Sequence, residues 1–249
     1  QQIPNPRLLC KSRLVPVRRN SRKFSMAKRI LIFSLAYYPV EGGAEIAVKE
    51  ITKRIADIEF DLITLRFNKA HLPKERIGNV NVYRIGSSKP LFPFKAFKLA
   101  KKLHQTNKYD ATWAIMANWA GLTALFFKRR FPNVTYVLTL QEGDSLEYIR
   151  KKIWFIYPLF KRIFTRADKV QAISTYLAQW AKQMGYKGEV AVIPNGVDWE
   201  KFSINNFQFS KNREETVLIT TSRLVEKNGI GDVIEAMKFL PENVHFKIL

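Results

Sequence analysis

The chain has 249 residues, with 42 Lys+Arg against 21 Asp+Glu, a formal net charge of +21, 47% hydrophobic residues and 25% charged ones. That length allows one full domain and part of another, and the composition excludes disordered and fibrous classes. A single cysteine, Cys10, excludes internal disulfides and cysteine-based zinc sites, and three histidines argue against a His-rich metal site, whereas an isoelectric point near 10.1 leaves nucleic acid, anionic lipid and phosphate-bearing substrates open as partners.

Residues 1–25 carry seven Lys/Arg, three prolines and no acid, with no apolar period. They are expected to lie outside the fold, as sequence read upstream of a start at Met26. A basic targeting peptide and an RNA-binding arm are the other readings. From Lys28 onward, short apolar runs predict buried strands at Arg29–Ser34, Phe60–Arg66, Val80–Ile85, Ala111–Ile115, Val134–Leu140, Lys169–Ile173 and Glu189–Ile193. Helix-length segments lie between them. In 44–57 the residues Ala44, Ala47, Val48, Ile51 and Ile55 follow the i, i+3, i+4, i+7 pattern, and 118–130, 146–166 and 175–185 are similar in length. Strand–helix alternation predicts an α/β fold with a parallel sheet covered by helices on both faces. A polar stretch at 199–214 reads as a linker. After it, strand, helix and strand restart at Thr216–Thr221, Gly231–Leu240 and Val244–Leu249. The expected organisation is a Rossmann-like domain at 26–198, a linker at 199–214, and the beginning of an incomplete second domain at 215–249. No run of about 18 apolar residues predicts a membrane-spanning helix.

Polar groups at the carboxyl ends of parallel strands are candidates for ligand contact. After the first strand, Gly42, Gly43 and Glu45 open the first helix, where backbone N–H groups and the helix dipole favour an anion. This is neither GxGxxG nor a Walker loop. Gln141 and Glu142 follow the strand ending at Leu140, in a loop whose Asp144 or Ser145 can cap the next helix. Asn195 and Gly196 follow the strand ending at Ile193, and Asn-Gly predicts a tight turn. In Ser222–Gly229, Arg223 and Lys227 follow another strand, and Arg and Lys so placed can clamp a diphosphate.

Two basic stretches stand apart. Ile149–Arg166 holds six Lys/Arg and five aromatics without an acid, and Lys89–Leu103 holds five Lys and three Phe. Such segments suit an anionic membrane interface, with Lys151, Lys152, Trp154, Lys161 and Arg162 as contacts. Single-stranded nucleic acid is the less favoured partner, and some of the aromatics must cover the sheet.

In order along the chain, the sequences GGAE (Gly42–Glu45), ADKVQAIS (Ala167–Ser174), PNGVDWEKF (Pro194–Phe202) and SRLVEKNG (Ser222–Gly229) resemble the retaining glycosyltransferases of family 4, the group 1 set of GT-B architecture. The resemblance implies two Rossmann-like domains, the N-terminal one on the acceptor side and the C-terminal one holding a nucleotide sugar. It implies transfer from a UDP-, GDP- or ADP-sugar to a glycan or lipid-linked acceptor, without a metal or other cofactor. Gly42, Gly43, Glu45, Glu142, Asn195, Gly196 and Asn228 are then donor or acceptor contacts, and Gln141, Arg223 and Lys227 the catalytic candidates, with Arg223 as diphosphate clamp. Localisation is expected to be cytoplasmic and peripheral on the inner membrane face, in cell-surface polysaccharide or glycolipid synthesis.

Three departures from the family pattern stand out. Gln141 replaces a common histidine and cannot titrate near neutrality. Asn228 stands where a lysine is usual, one place after Lys227. A pair of glutamates spaced E-x7-E would lie beyond Leu249, so the chain as given is expected to be inactive. The alternative readings are a GT-B sugar-nucleotide epimerase, which shares the fold, and a catalytically degenerate basic binding protein.

Overall fold

The computed structural model describes residues 28–143, 149, 151, 154–199 and 215–249. The basic leader, Asp144, Ser145, Lys152 and residues 200–214 of the expected linker lie outside them. The chain divides into two compact units, Gln1–Gly196 and Val197–Leu249.

The first unit is built on an eight-stranded sheet. Its strands are β1 (Lys28–Phe33), β2 (Ile58–Leu65), β3 (Lys74–Ile77), β4 (Val80–Ile85), β5 (Ala111–Ile115), β6 (Thr135–Leu140), β7 (Lys169–Ala172) and β8 (Val190–Val192), in the order β3-β4-β2-β1-β5-β6-β7-β8. All neighbours are parallel except β3 and β4. The chain therefore builds outward from β1 through β2 and β4, returns to place β5 against the other side of β1, and builds outward again. That reversal is the topological switch point of an open α/β sheet, where a crevice forms beyond the strand ends.

Described helices are α1 (Gly43–Lys53), α2 (Phe92–Asn107), α3 (Trp119–Arg130), α4 (Tyr157–Thr165) and α5 (Thr175–Gln183). The period of two in β1 separates two cores. Ile32 faces one side, with Phe60, Leu62, Val80, Val82 and the α1 residues Ala44 and Val48. Leu31 and Phe33 face the other, with Phe92, Leu125, Phe127, Phe160, Phe164 and Trp180 from α2 to α5. Each such large side chain, fully buried, contributes about 1.5–3 kcal/mol. Helices cover both faces as expected, but unequally. Among the described helices only α1 packs on the first core, while α3 is buried on most sides between α2, α4 and the sheet.

Two local expectations are corrected, and two elements are added. The buried stripe of α1 is Ala44, Val48 and Thr52, with Ile51 exposed. Thr52 is accommodated because its hydroxyl donates to the Val48 carbonyl at 2.9 Å. The basic stretch Lys89–Leu103 is largely α2, whose Phe92, Ala96 and Ala100 belong to the core. No turn forms at Asn195-Gly196, where the backbone is irregular and Gly196 does not take a positive φ. Finally, β3 is an edge strand the apolar runs did not predict. It forms a hairpin with β4 in which Ile77 pairs with Val80 across Gly78 and Asn79, and Gly78 supplies the positive φ of +60°.

One buried acid crosslinks the first unit. Asp61 on β2 accepts from Asn81 Nδ2 at 2.9 Å, from Asn107 Nδ2 at 2.7 Å and from the Tyr109 hydroxyl. These bonds join β2 to β4 and to the end of α2, and offset the cost of taking the carboxylate out of water.

The second unit pairs β9 (Thr216–Thr220) with β10 (Val244–Ile248) in parallel, with α6 (Ile230–Ala236) between them in sequence. The expected helix Gly231–Leu240 ends early, continuing as a 3-10 turn at Met237–Phe239.

Close packing of α3 depends on Gly121. A Cβ there would lie 2.9 Å from Ile163 Cγ2 and 3.2 Å from the Met116 carbonyl oxygen. Alanine is favoured over glycine in a helix interior by about 1 kcal/mol. Gly121→Ala is nevertheless expected to destabilise the protein, by about 1–3 kcal/mol of overpacking. A urea midpoint at or above that of the wild type would contradict this.

Candidate functional site

Just past the switch point, a cavity of about 260 Å³ opens at the carboxyl ends of β1, β5 and β6. Leu35 borders it after β1, Met116, Ala117, Asn118 and Trp119 after β5, and Glu142 and Gly143 after β6. Leu122 of α3 and Ile156 and Phe160 at the start of α4 complete its apolar wall.

The β5 tip is shaped by three features. Met116 donates its N–H to the Thr139 carbonyl at 2.8 Å and takes φ = +70°, a left-handed conformation rare for methionine. Such residues cluster at functional sites, where the surrounding structure holds the strain. Asn118 then caps α3, its side-chain oxygen accepting from the Ala120 N–H at 2.8 Å. Between them, the Ala117 N–H donates to Glu142 Oε1 and so locks the β5 tip to the β6 tip.

Glu142 is the acidic group of this wall among the described residues. Burial pushes its carboxyl up from 4.5 to about 7, and backbone N–H groups of Ala117, Glu142 and Gln141 pull the other way. Its second oxygen, Oε2, is enclosed and has no hydrogen-bond partner among the described residues. The phenol of Tyr136, on β6, is pushed up by burial and then by the charge of Glu142. Beside Glu142, Gln141 donates from Nε2 to Asn195 Oδ1 at 2.7 Å, across the tip of the intervening β7. Two residues 54 positions apart are thus brought together, and the Gln141 carboxamide is oriented by Asn195. Gly196 follows, exposed.

At the α1 end, Gly42 is the N-cap and Gly43 the first helical residue. Gly42 is extended (φ −153°), so its requirement is space rather than backbone freedom. A Cβ there would fall 2.5 Å from Glu45 Oε2, and the Glu45 carboxylate folds back over the helix start, raised by burial and lowered by its own backbone N–H. A Cβ at Gly43 would meet nothing within 4 Å, so a ligand can approach the main chain there. The loop leading to this turn is anchored by Arg84. Its guanidinium, 1% exposed, donates to the Tyr38 carbonyl and to the Leu72 carbonyl (3.0 Å) and pairs with Glu75. Sequence reasoning did not single out Arg84. The signal was its position in β4, where the period of two puts it on the buried face with Val80 and Val82. Nor did it single out Met116–Trp119, although Asn118 directly before an apolar helix is an N-cap signature.

In the second unit, Arg223 is exposed, and its carbonyl accepts from the Val225 N–H at 2.9 Å and from Asn228 Nδ2 at 2.8 Å. Asn228 therefore braces the loop with its side chain. Lys227 lies in the 3-10 turn Glu226–Asn228, which Gly229 closes at φ +65°.

The basic segment before and within α4 is divided. Phe160, Ile163 and Phe164 are core, whereas Lys161 and Arg162 are exposed, as is Lys151. Trp154 is 75% and Phe155 63% exposed. No helix among the described residues is long and apolar enough to cross a membrane.

The sequence model for Glycosyltransferase Family 4 matches residues 41–201. An uncharacterized glycosyltransferase of Methanocaldococcus jannaschii is 25% identical over 218 residues, covering 86% of this chain and 57% of that protein. Among solved structures, a sucrose-phosphate synthase of Thermosynechococcus elongatus superposes with a TM-score of 0.67 at 14% identity, over 89% of this chain and 62% of that one. The Anabaena protein HepE, solved with UDP and glucose, superposes at 0.64 and 21% identity, over 90% and 61%. The chain thus spans about three-fifths of the length of these relatives. The matches establish a GT-B-type α/β fold.

The carboxyl of Glu142 sets a pH dependence of stability. Below pH 4.5 the folded and unfolded chains both hold its proton. Between 4.5 and about 7 the folded chain keeps a proton that the unfolded chain has released, so stability falls as pH rises. Above about 7 both forms are ionised and the full cost, about 3 kcal/mol, is in place. Glu142→Gln is expected to match the wild type near pH 4 and to exceed it in urea stability by up to about 3 kcal/mol at pH 8. A pH-independent difference would remove Glu142 as the cause.

Proposed function

The chain belongs to Glycosyltransferase Family 4, and on that premise we propose that it moves a sugar from a nucleotide-sugar donor to a glycan or lipid-linked acceptor, with the anomeric configuration retained. The observation that carries the acceptor side is the cavity beside the switch point, lined by groups from three strand tips. A parallel sheet places ligands in this position, and a few convergent polar groups on an apolar wall are what orient one. Gln141, held by Asn195, offers a sugar hydroxyl a fixed carboxamide. It takes no part in proton transfer, because an amide does not titrate near neutrality.

On the donor side, Arg223 is the diphosphate clamp, with Lys227 as a second cation. A guanidinium aimed at the departing nucleoside diphosphate stabilises charge that develops only as the glycosidic bond breaks. Within the first unit, the open main chain at Gly43 and the α1 N-terminus offer an anion backbone N–H groups. The UDP and glucose bound to HepE support the donor class.

The test is nucleotide release, with analysis of product stereochemistry, on the full-length protein given UDP-, GDP- and ADP-sugars and candidate acceptors. Transfer with retention is expected from one donor. Arg223→Ala is expected to lower kcat/KM by about 100-fold or more, the cost of losing one preorganised charge-stabilising group. Absence of turnover with every donor, or an epimerised nucleotide sugar as sole product, would overturn the proposal.

We further propose peripheral binding to the cytoplasmic face of an anionic membrane through Lys151, Lys152, Trp154, Lys161 and Arg162. The support is that Trp154 and Phe155 are exposed, as are Lys151 before them and Lys161 and Arg162 on α4. Basic residues near such a surface contribute about 1 kcal/mol each. Replacing Lys151, Lys152, Lys161 and Arg162 with glutamine should therefore weaken co-sedimentation with phosphatidylserine-containing vesicles by about 100-fold or more. Unchanged, salt-sensitive binding would move the contact elsewhere.

A further inference from the structure

The cavity at the β5 and β6 tips has a chemistry of its own. Leu35, Met116, Trp119, Leu122, Ile156 and Phe160 make most of its wall, and its charged lining residues among those described are Glu142 and the exposed Lys89. At about 260 Å³ it lies just below the ~300 Å³ of the smallest whole-ligand pockets. It therefore fits one ring or a short chain, a portion of a larger molecule. A wholly hydrophilic glycan would leave this apolar surface unmatched. An anionic group would meet the Glu142 carboxylate, whose hydrogen-bond partner among the described residues is the neutral Ala117 N–H. One carboxylate oxygen is committed to the Ala117 N–H, and the other is enclosed without a partner among the described residues. An enclosed acceptor left without a donor costs about 1–3 kcal/mol, which a ligand hydroxyl recovers.

We propose that this cavity holds the apolar aglycone of an uncharged, hydroxyl-bearing acceptor, whose hydroxyl donates to the Glu142 carboxyl at the cavity wall. The inference rests on the transferase reading for the word acceptor, but the binding it describes stands apart from turnover. Within that reading it selects lipid-linked or alkyl acceptors over free glycans. Lys89, on the lining, is available to a more polar portion of the same molecule outside the cavity.

Met116 gives a direct probe, because the chain has four methionines and this one lines the cavity. The experiment is a titration of the full 249-residue chain, labelled with carbon-13 at the methionine methyls. The probes are n-octyl β-D-glucoside below its micelle concentration, methyl β-D-glucoside and octanoate. The Met116 methyl is expected to shift saturably with the octyl glucoside while the Met237 methyl stays in place. Binding of methyl glucoside, which lacks the chain, and of octanoate, which is anionic, is expected to be at least about tenfold weaker. Glu142→Gln should weaken octyl glucoside about fivefold, the equivalent of one hydrogen bond. Ala117→Phe, which fills the cavity, should abolish the shift. If its melting curve shows that it does not fold, the probe series on the wild type and on Glu142→Gln decides alone. A Met116 methyl that does not move, or that moves equally with methyl glucoside, overturns the proposal. Sugar transfer with an unmoved Met116 sinks this inference alone, and saturable binding without transfer to any acceptor sinks the transferase reading alone.

Discussion

A hydrogen bond from the Ala117 main chain to the Glu142 carboxylate joins the tips of β5 and β6, next to the point where the strand order reverses. The features around it depend on that junction. Met116 can hold its left-handed backbone because its own N–H is fixed to the Thr139 carbonyl and the next N–H, of Ala117, to Glu142. Asn118 then starts α3 at a defined place, and Gly121 lets the helix settle against the Met116 carbonyl and Ile163. The cavity is the space this arrangement leaves in front of α4. Its cost is a carboxylate held away from water, and strain and unsatisfied polar groups of this kind concentrate where a protein binds or reacts.

Around that junction, single elements serve two purposes. Helix α4 turns Phe160, Ile163 and Phe164 inward, with Phe160 closing the cavity, while Lys161 and Arg162 face solvent. The same amphipathic division sets the apolar cavity wall on one face of the helix and a cationic surface on the other. On the other side of β1, Arg84 places a buried guanidinium on the Tyr38 carbonyl of the loop that carries Gly42 and Gly43, on the Leu72 carbonyl before β3, and on Glu75 of β3. A buried cation with one carboxylate and two carbonyl partners is well satisfied, and it ties the loop at Tyr38 to the β3 edge of the sheet.

Most strands were legible because a parallel sheet buries both faces. Val80–Ile85 and Ala111–Ile115 coincide with their apolar runs, and the other predicted strands of the first unit differ by one or two residues at their ends. The β3 edge escaped because Lys-Glu-Arg-Ile has little to bury, although Gly78-Asn79 was a hairpin signal. The α2 segment was read for its charge, and its small buried residues Ala96 and Ala100 make a weak apolar stripe. For the site, residue types at strand ends were readable one loop at a time. Their meeting was not: Gln141 and Asn195 are 54 positions apart, and only the β6-β7-β8 pairing brings their amides to 2.7 Å.

The sequence by itself determined the alternating α/β pattern, the loops that carry polar groups and the family motifs, because burial periodicity and turn chemistry act over a few neighbouring residues. Tertiary structure alone decided which loops share a wall, that one Glu142 carboxyl oxygen is enclosed and the group shifted toward neutrality, and that Met116 and Trp119 line a cavity with it. Those properties depend on desolvation and long-range strand order, which depend on what the fold places around a residue and not on the residue's neighbours in the chain.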